Sequence, residues 1–194
     1  MPKIYSDDEK RKIRESLREE ASKCLAIYGV KRTTVDELVT RVSIPKGTFY
    51  LFYKNKEELF FDVLVNFSSR MESLYLQMLQ ELDENHIVTS LTDVFYQMAM
   101  RFYKEGIFRF LSPGEMELVV RRLDDKEIVK AESMNDEILH NLFSYFAIED
   151  ENDIKAFIDG YRAILYVFLH ADKIPDIEKT LRFLIRGLVL QMVE

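Results

Sequence analysis

The sequence contains a single cysteine, Cys24, among 194 residues. One cysteine excludes an internal disulfide framework and is typical of a reducing compartment, so we expect a cytoplasmic protein. Glycine and proline are also scarce, with 6 and 4 residues. Because both disfavour helix interiors, long stretches without them indicate helices, and no segment shows the alternating pattern of a strand. The sequence therefore predicts an all-α fold of about nine helices.

Long hydrophobic runs are absent as well. The most apolar stretch, residues 181–193, is interrupted by Arg182 and Arg186 and is too short to cross a bilayer. No apolar segment follows the basic residues near Met1, as it would in a secretory signal. With 47% hydrophobic and 31% charged residues, the composition is that of a globular protein. We expect no membrane association.

Motifs for catalysis or metal binding are also missing. Three histidines and one cysteine leave no zinc-ligand set, and no glycine-rich phosphate loop or nucleophile elbow is present. The spacing Glu137-x-x-His140 is half of a di-iron carboxylate motif, which needs a second copy and two further glutamates. We predict no enzyme activity, no cofactor and no metal. A carboxylate-bridged metalloenzyme remains an alternative that would require metal to copurify with the protein.

Charge is distributed unevenly. Residues 1–56 carry 13 Lys and Arg against 8 Asp and Glu, a balance of +5, whereas residues 57–194 carry 14 against 26, a balance of −12. A basic amino-terminal part within an acidic chain indicates a region that meets phosphate, although chance clustering of solvated charges gives the same pattern.

Helix-start signals divide the basic region into short helices. Ser6 with Glu9, Thr34 with Glu37, and Asn55 with Glu58 have the spacing of amino-terminal caps. Gly29 predicts the end of the first helix, whose apolar face includes Cys24 as a core residue. Further helices are predicted near 88–104, 115–124, 126–147, 151–171 and 175–193.

The segment between Thr34 and Tyr53 has the features of a helix-turn-helix. Ser43 and Pro45 bracket a tight turn, and a second helix is predicted from Pro45 to Tyr53. Gly47 is unfavourable inside that helix, so a reason for a missing side chain is expected. Close approach of a phosphate or base edge is one reason, and tight packing against the preceding helix is the other.

The sequence around this segment resembles the tetracycline-repressor family of bacterial transcription regulators. The matching residues are Thr33-Thr34-Val35-x-x-Leu38, Lys46-Gly47-Thr48-Phe49-Tyr50, Tyr53 and Lys56-Glu57-Glu58-Leu59. The resemblance implies an all-helical homodimer. It also implies a three-helix DNA-binding domain at residues 1–55 and an effector-binding and dimerisation domain at residues 56–194.

The resemblance further implies a set of DNA contacts on double-stranded DNA. They are Thr34, Lys46, Gly47, Thr48, Tyr50 and Lys56. A lysine at the start of the reading helix can reach a guanine edge or a phosphate, and hydroxyl and phenol groups can bind phosphate. The turn departs from the family pattern at Ser43 and Pro45, and Leu51 after Tyr50 has no polar group for a base.

Two further sets are expected in the carboxy-terminal domain. Aromatic and Met side chains that could line a pocket for a partly apolar or aromatic effector are Tyr96, Met100, Tyr103, Phe110, Tyr161 and Phe168, with plain core packing as the alternative. The last two helices are apolar beyond one face, which indicates burial on more than one side and favours a two-fold four-helix interface. Its predicted residues are Leu165, Leu181, Leu184 and Leu188.

Together these features predict a ligand-responsive repressor. The DNA-binding domains of two subunits, called heads below, would bind a near-palindromic operator, and a small-molecule effector would release them. A helical small-molecule sensor that does not read DNA is the alternative, to which the departures at Pro45 and Leu51 give slight support.

Overall fold

The structure, a computed structural model, describes residues 5–124 and 150–193. These residues form α-helices and short 3-10 helices without any strand, which confirms the all-α prediction. The α-helices are α1 (Asp7–Arg32), α2 (Val35–Val42), α3 (Lys46–Phe49), α4 (Lys56–Gln80), α5 (Ile87–Lys104), α6 (Glu115–Val120), α7 (Glu151–Tyr166) and α8 (Ile177–Val193). The 3-10 helices are Glu84–His86, Ile107–Leu111 and Val167–Lys173.

One predicted helix cannot be compared with the structure. The helix predicted near 126–147, with Glu137 and His140, lies outside the described residues. Within the described ranges, no group of three or more metal-ligating side chains is present. None of the helices in those ranges is long and apolar enough to cross a membrane.

Helix α1 begins where the sequence predicts and is interrupted at Gly29, the residue predicted to end it. The Ser6 amide donates to Glu9 Oε2 at 2.8 Å, and the Glu9 amide donates to Ser6 Oγ at 3.2 Å, which is a complete capping box. Cys24 is fully buried on the apolar face, as predicted for a core residue. At Gly29 the backbone turns to a φ of +76°, which interrupts the helix before its last residues.

The turn after α2 contains a strained residue. Ser43 adopts the left-handed conformation, with φ 57° and ψ 43°, and its amide donates to Thr40 O at 3.2 Å. This conformation ends helices well but is unfavourable for a residue with a Cβ. Ser43 therefore ends α2 in the left-handed conformation, and this conformation lowers the stability of the protein.

We expect Ser43→Gly to raise the free energy of unfolding by about 0.5–1 kcal/mol, because glycine has no Cβ to oppose a positive φ. The measurement is the urea midpoint at constant denaturant slope. Ser43→Ala is the control and should give no gain. An equal gain for alanine would show that loss of the hydroxyl, and not the backbone conformation, accounts for the effect.

Helix α3 is shorter than predicted. The α-helix covers Lys46–Phe49, with Pro45 as its amino-terminal cap, and not the whole of Pro45–Tyr53. The Phe49 carbonyl accepts from both Phe52 N at 2.9 Å and Tyr53 N at 3.1 Å, so the chain tightens into turns. Asn55 then caps the next helix by accepting from the Glu58 amide at 2.8 Å.

The described chain forms two compact units. One contains residues 5–67 and 105–124, and the other contains residues 68–104 and 150–193. In the first unit α1 packs on α2 and α6, and α2 packs on α3. In the second, α8 packs along α5 and against α7. The functional boundary expected at residue 55 stays a prediction.

Candidate nucleic-acid interface

Helices α2 and α3 present a polar surface on a shared core. Leu38 on α2 and Phe49 on α3 are fully buried. On the outside, Thr34 caps α2 by accepting from the Glu37 amide at 3.2 Å, and it remains exposed. Lys46 and Gly47 are exposed too, and Tyr50 has 52% of its surface accessible. These four predicted residues are available to a ligand that approaches this surface.

Lys46 does not extend freely into solvent. Its ammonium lies 2.9 Å from Asp36 Oδ1 and donates to Asp36 Oδ2 at 3.0 Å, and this carboxylate raises the pKa of Lys46. Asp36 belongs to the first turn of α2, where a negative charge is favourable. The ion pair therefore connects the starts of the two helices on their exposed side.

Gly47 has open space where a side chain would be. A Cβ built on its backbone meets nothing within 4 Å, so close packing against α2 does not require glycine here. Its φ is not in the left-handed region either. Of the two reasons given for this residue, the approach of an external group is the one that the geometry leaves open.

Thr48 faces inward, unlike its neighbours on α3. It is buried, and its hydroxyl shares a hydrogen bond of 3.1 Å with the Tyr5 phenol. This contact positions Tyr5, two residues before α1, beside α3. Tyr5 was not among the predicted residues, since nothing in a sequence pattern pairs positions 43 residues apart.

Lys56 is also used inside the protein. From the first turn of α4 its ammonium donates to the carbonyls of Val30 at 2.6 Å, Thr33 at 2.7 Å and Lys31 at 3.3 Å. Only 19% of the side chain is exposed. All three donor hydrogens of a lysine have partners in this arrangement.

A carboxylate holds the same peptide segment from the other side. Glu115 Oε2, at the start of α6, accepts from the Val30 amide at 2.5 Å and from the Lys31 amide at 3.3 Å. A Cβ on Gly29 would lie 2.8–2.9 Å from this carboxylate, so glycine provides the space that Glu115 occupies. The segment that leads into Thr34 is thus fixed by one anion and one cation.

Tyr53 completes the support of α3. Its phenol donates to Asp62 at 2.5 Å, and Arg18 donates to the same carboxylate at 2.7 and 3.0 Å. Burial, with a smaller contribution from Asp62, raises the pKa of the Tyr53 phenol well above its usual range. The ring lies 5.9 Å from that of Phe49. This network ties the end of the turn to α1 and α4.

The six predicted effector residues divide between the two compact units. Tyr103 and Phe168 stack with ring centroids 4.6 Å apart, and the buried Tyr161 phenol donates to Phe95 O at 2.8 Å. Met100 is buried, and Tyr96 lies under the Arg182 guanidinium at 3.9 Å. Phe110 belongs to the other compact unit. The role of these residues in effector binding stays a prediction.

A concave region of about 310 Å³ lies between α5 and α8 in the second unit. Its lining was not predicted and consists of Thr89, Thr92, Asp93, Lys179, Arg182, Phe183 and Arg186. Arg182 is fixed there by Asp93, to which it donates a short hydrogen bond.

The predicted dimer residues differ in exposure. Leu181 is fully buried within the subunit, where it packs as core, and we therefore leave it out of the proposed interface. Leu165 and Leu188 are half-buried, and Leu184 is exposed. Neighbouring apolar residues on α8 are exposed as well, with Phe183 at 78% and Leu190 at 37%. An apolar surface therefore remains on the outer side of α8.

Comparison with known proteins agrees with this geometry. Residues 17–63 match the family model described as bacterial regulatory proteins, tetR family. A stretch of 54 residues is 39% identical to an uncharacterized HTH-type transcriptional regulator, YhgD, of Bacillus subtilis. That stretch covers 28% of this chain and 28% of the length of the relative.

Solved structures extend the similarity to nearly the whole chain at the level of fold. The fatty acid degradation regulator FadR from Bacillus halodurans is 14% identical, with 96% of this chain and 97% of that chain covered and a TM-score of 0.63. PfmR from Thermus thermophilus, a TetR family transcriptional regulator, is 17% identical, with 97% of each chain covered and a TM-score of 0.61.

Proposed function

We propose that the protein is a transcriptional regulator that binds double-stranded DNA, a proposal supported by the match of residues 17–63 to the tetR family of bacterial regulatory proteins. The observation that carries the proposal is Gly47, an exposed glycine in a helix with nothing near its missing side chain. Glycine is less favourable than alanine in a helix, so its presence is best explained by the approach of an external surface. Lys46 and Tyr50 flank it with groups suited to base edges and phosphates.

We further propose that two copies act together as a repressor. Each copy would place α3 in the major groove, with the two helices about 34–36 Å apart on a near-palindromic operator. Thr34, Lys46, Gly47 and Tyr50 would contact DNA, and Thr48 and Lys56 would hold the surface in shape. We place the protein in the cytoplasm and assign it no catalytic activity, cofactor or metal.

Release by a small molecule completes the proposal. A partly apolar or aromatic effector in the carboxy-terminal domain would favour a conformation that no longer fits the operator. A coupling free energy of roughly 1–3 kcal/mol between two sites corresponds to a change in affinity of about 5–150-fold. The stacked pair of Tyr103 and Phe168 supports such a ligand, since aromatic rings pair favourably with other aromatic rings.

The direct test is a titration of labelled duplexes with the full chain, followed by fluorescence anisotropy. Overlapping fragments of the DNA that flanks its coding region are compared with scrambled duplexes of equal length at several salt concentrations. We expect one fragment to bind at least tenfold more tightly than its scrambled form. If the protein binds no fragment and no scrambled duplex in low salt, a small-molecule sensor that does not read DNA is the better description.

We expect Gly47→Ala to separate stability from binding. The methyl group should raise the free energy of unfolding by about 0.5–1 kcal/mol, because the helix gains propensity and the space is open. Operator affinity should fall at least tenfold, because the same methyl group blocks close approach. Urea unfolding and anisotropy measure the two effects.

The control for this variant is Ser73→Ala, which raises helix propensity at an exposed position of α4. It should stabilise the protein slightly and leave operator affinity unchanged. An operator affinity that survives Gly47→Ala would remove the main support for contact at α3.

A further inference from the structure

The ion pair between Asp36 and Lys46 places a carboxylate on the surface proposed to meet DNA. Both Asp36 oxygens lie within 3.0 Å of the Lys46 ammonium. The side chains are well exposed, at 72% for Asp36 and 50% for Lys46. Exposed ion pairs contribute little to stability, so the fold alone does not account for this contact.

The carboxylate changes which acceptors suit Lys46. A lysine ammonium has three donor hydrogens, so the pair with Asp36 leaves capacity for another acceptor. A guanine edge offers neutral acceptors, O6 and N7, and can bind the ammonium while Asp36 stays in place. A phosphate is an anion and would have to displace Asp36 or lie beside it. Like charges at that distance repel each other.

We propose that Asp36 is a specificity-determining residue, which directs Lys46 towards a neutral base edge and away from phosphates. This inference rests on the proposed function. It means that the head neutralises fewer phosphates on arbitrary DNA than its lysines and arginines would allow. Affinity for non-operator duplex is therefore kept low, while the operator complex retains its contact with a base.

The ordinary role for Asp36 is to stabilise the first turn of α2 through the helix dipole. That role predicts a loss of stability on substitution and no change in the preference for operator. The two roles therefore differ in one measurable quantity, the affinity for non-operator DNA.

The test is Asp36→Asn, a substitution of equal size that removes only the charge. Anisotropy is measured with the operator fragment identified above and with its scrambled form, between about 50 and about 200 mM salt. We expect binding to the scrambled duplex to become about 5–10-fold tighter at low salt. Its plot of log affinity against log salt should steepen by about 0.9, the value for one added phosphate contact. Operator affinity should change less than about twofold, so the specificity ratio falls.

Two controls make the outcome specific. Asp159→Asn on α7 removes the same charge from another exposed ion pair, with Arg162, and should leave the ratio unchanged. In a Lys46→Met background, most of the gain from Asp36→Asn should disappear, because the lysine that would bind phosphate is gone.

The inference is overturned if Asp36→Asn tightens both duplexes equally, or if it lowers stability while binding to scrambled DNA stays the same. A wild-type protein that binds no duplex at all refutes the proposed function and this inference with it. That result differs from the first two, in which the wild type binds its operator normally.

Discussion

Lys56→Met is expected to lower the free energy of unfolding by about 2–3 kcal/mol. The methionine retains most of the apolar stem, but the carbonyls of Val30, Lys31 and Thr33 lose their shared cationic donor. A buried polar group left without a partner costs about 1–3 kcal/mol, and water can recover part of that loss at this half-buried position. Urea unfolding measures the change.

The matched control is Lys54→Met, two residues earlier at an exposed position. It removes the same charge and should change stability by less than about 0.5 kcal/mol. If Lys56 instead binds phosphate, as the family resemblance implies, Lys56→Met leaves stability constant and flattens the salt dependence of operator binding by about 0.9.

Local patterns predicted much of the first unit. The caps at Ser6, Thr34 and Asn55 and the break at Gly29 depend on neighbours three or four residues away, and all four are present. The end of α3 was predicted too late. The Phe49 carbonyl accepts from both Phe52 N and Tyr53 N, so the chain tightens into turns before the predicted end.

Long-range partners could not be predicted in the same way. Glu115 reaches the Val30 amide across 85 positions, and Lys56 reaches the Val30 carbonyl across 26. Both residue types occur throughout the sequence. No spacing distinguishes a lysine that binds backbone carbonyls from a lysine that binds phosphate. Gly29 was interpreted only as a helix stop, although it also makes space for the Glu115 carboxylate.

The assignment of apolar faces on α8 shows a similar limit. The pattern of the sequence indicated that this helix is covered on more than one side, but not by what. The structure places Leu181, Ile185 and Val189 inside the subunit without exposed surface. Phe183 and Leu184 lie on the outer side of the same helix. A hydrophobic residue in the sequence therefore indicates burial, but it does not show which part of the structure covers the side chain.

The exposed apolar residues on the outer side of α8 predict a dimer interface. We expect the double substitution Phe183→Glu and Leu184→Glu to convert a dimer into monomers and to weaken operator binding by at least 100-fold. Both side chains are exposed in the subunit, at 78% and 37%, so the glutamates should cost the isolated subunit little. In a two-fold interface, however, each would face an apolar partner surface, and burying a charge there is strongly unfavourable.

The loss of DNA binding follows from the loss of the second head. Linking two binding modules raises overall affinity by about 10²–10⁴ over a single module without any new contact. Sedimentation velocity measures the subunit state, and anisotropy on the operator fragment measures binding. Val120→Glu on α6 is the control, since it adds one glutamate at another exposed apolar position. A variant that remains a dimer would place the interface elsewhere. Monomers that still bind the operator as tightly as the wild type would mean that a single head is sufficient, because α3 and its flanking residues would then supply all of the affinity.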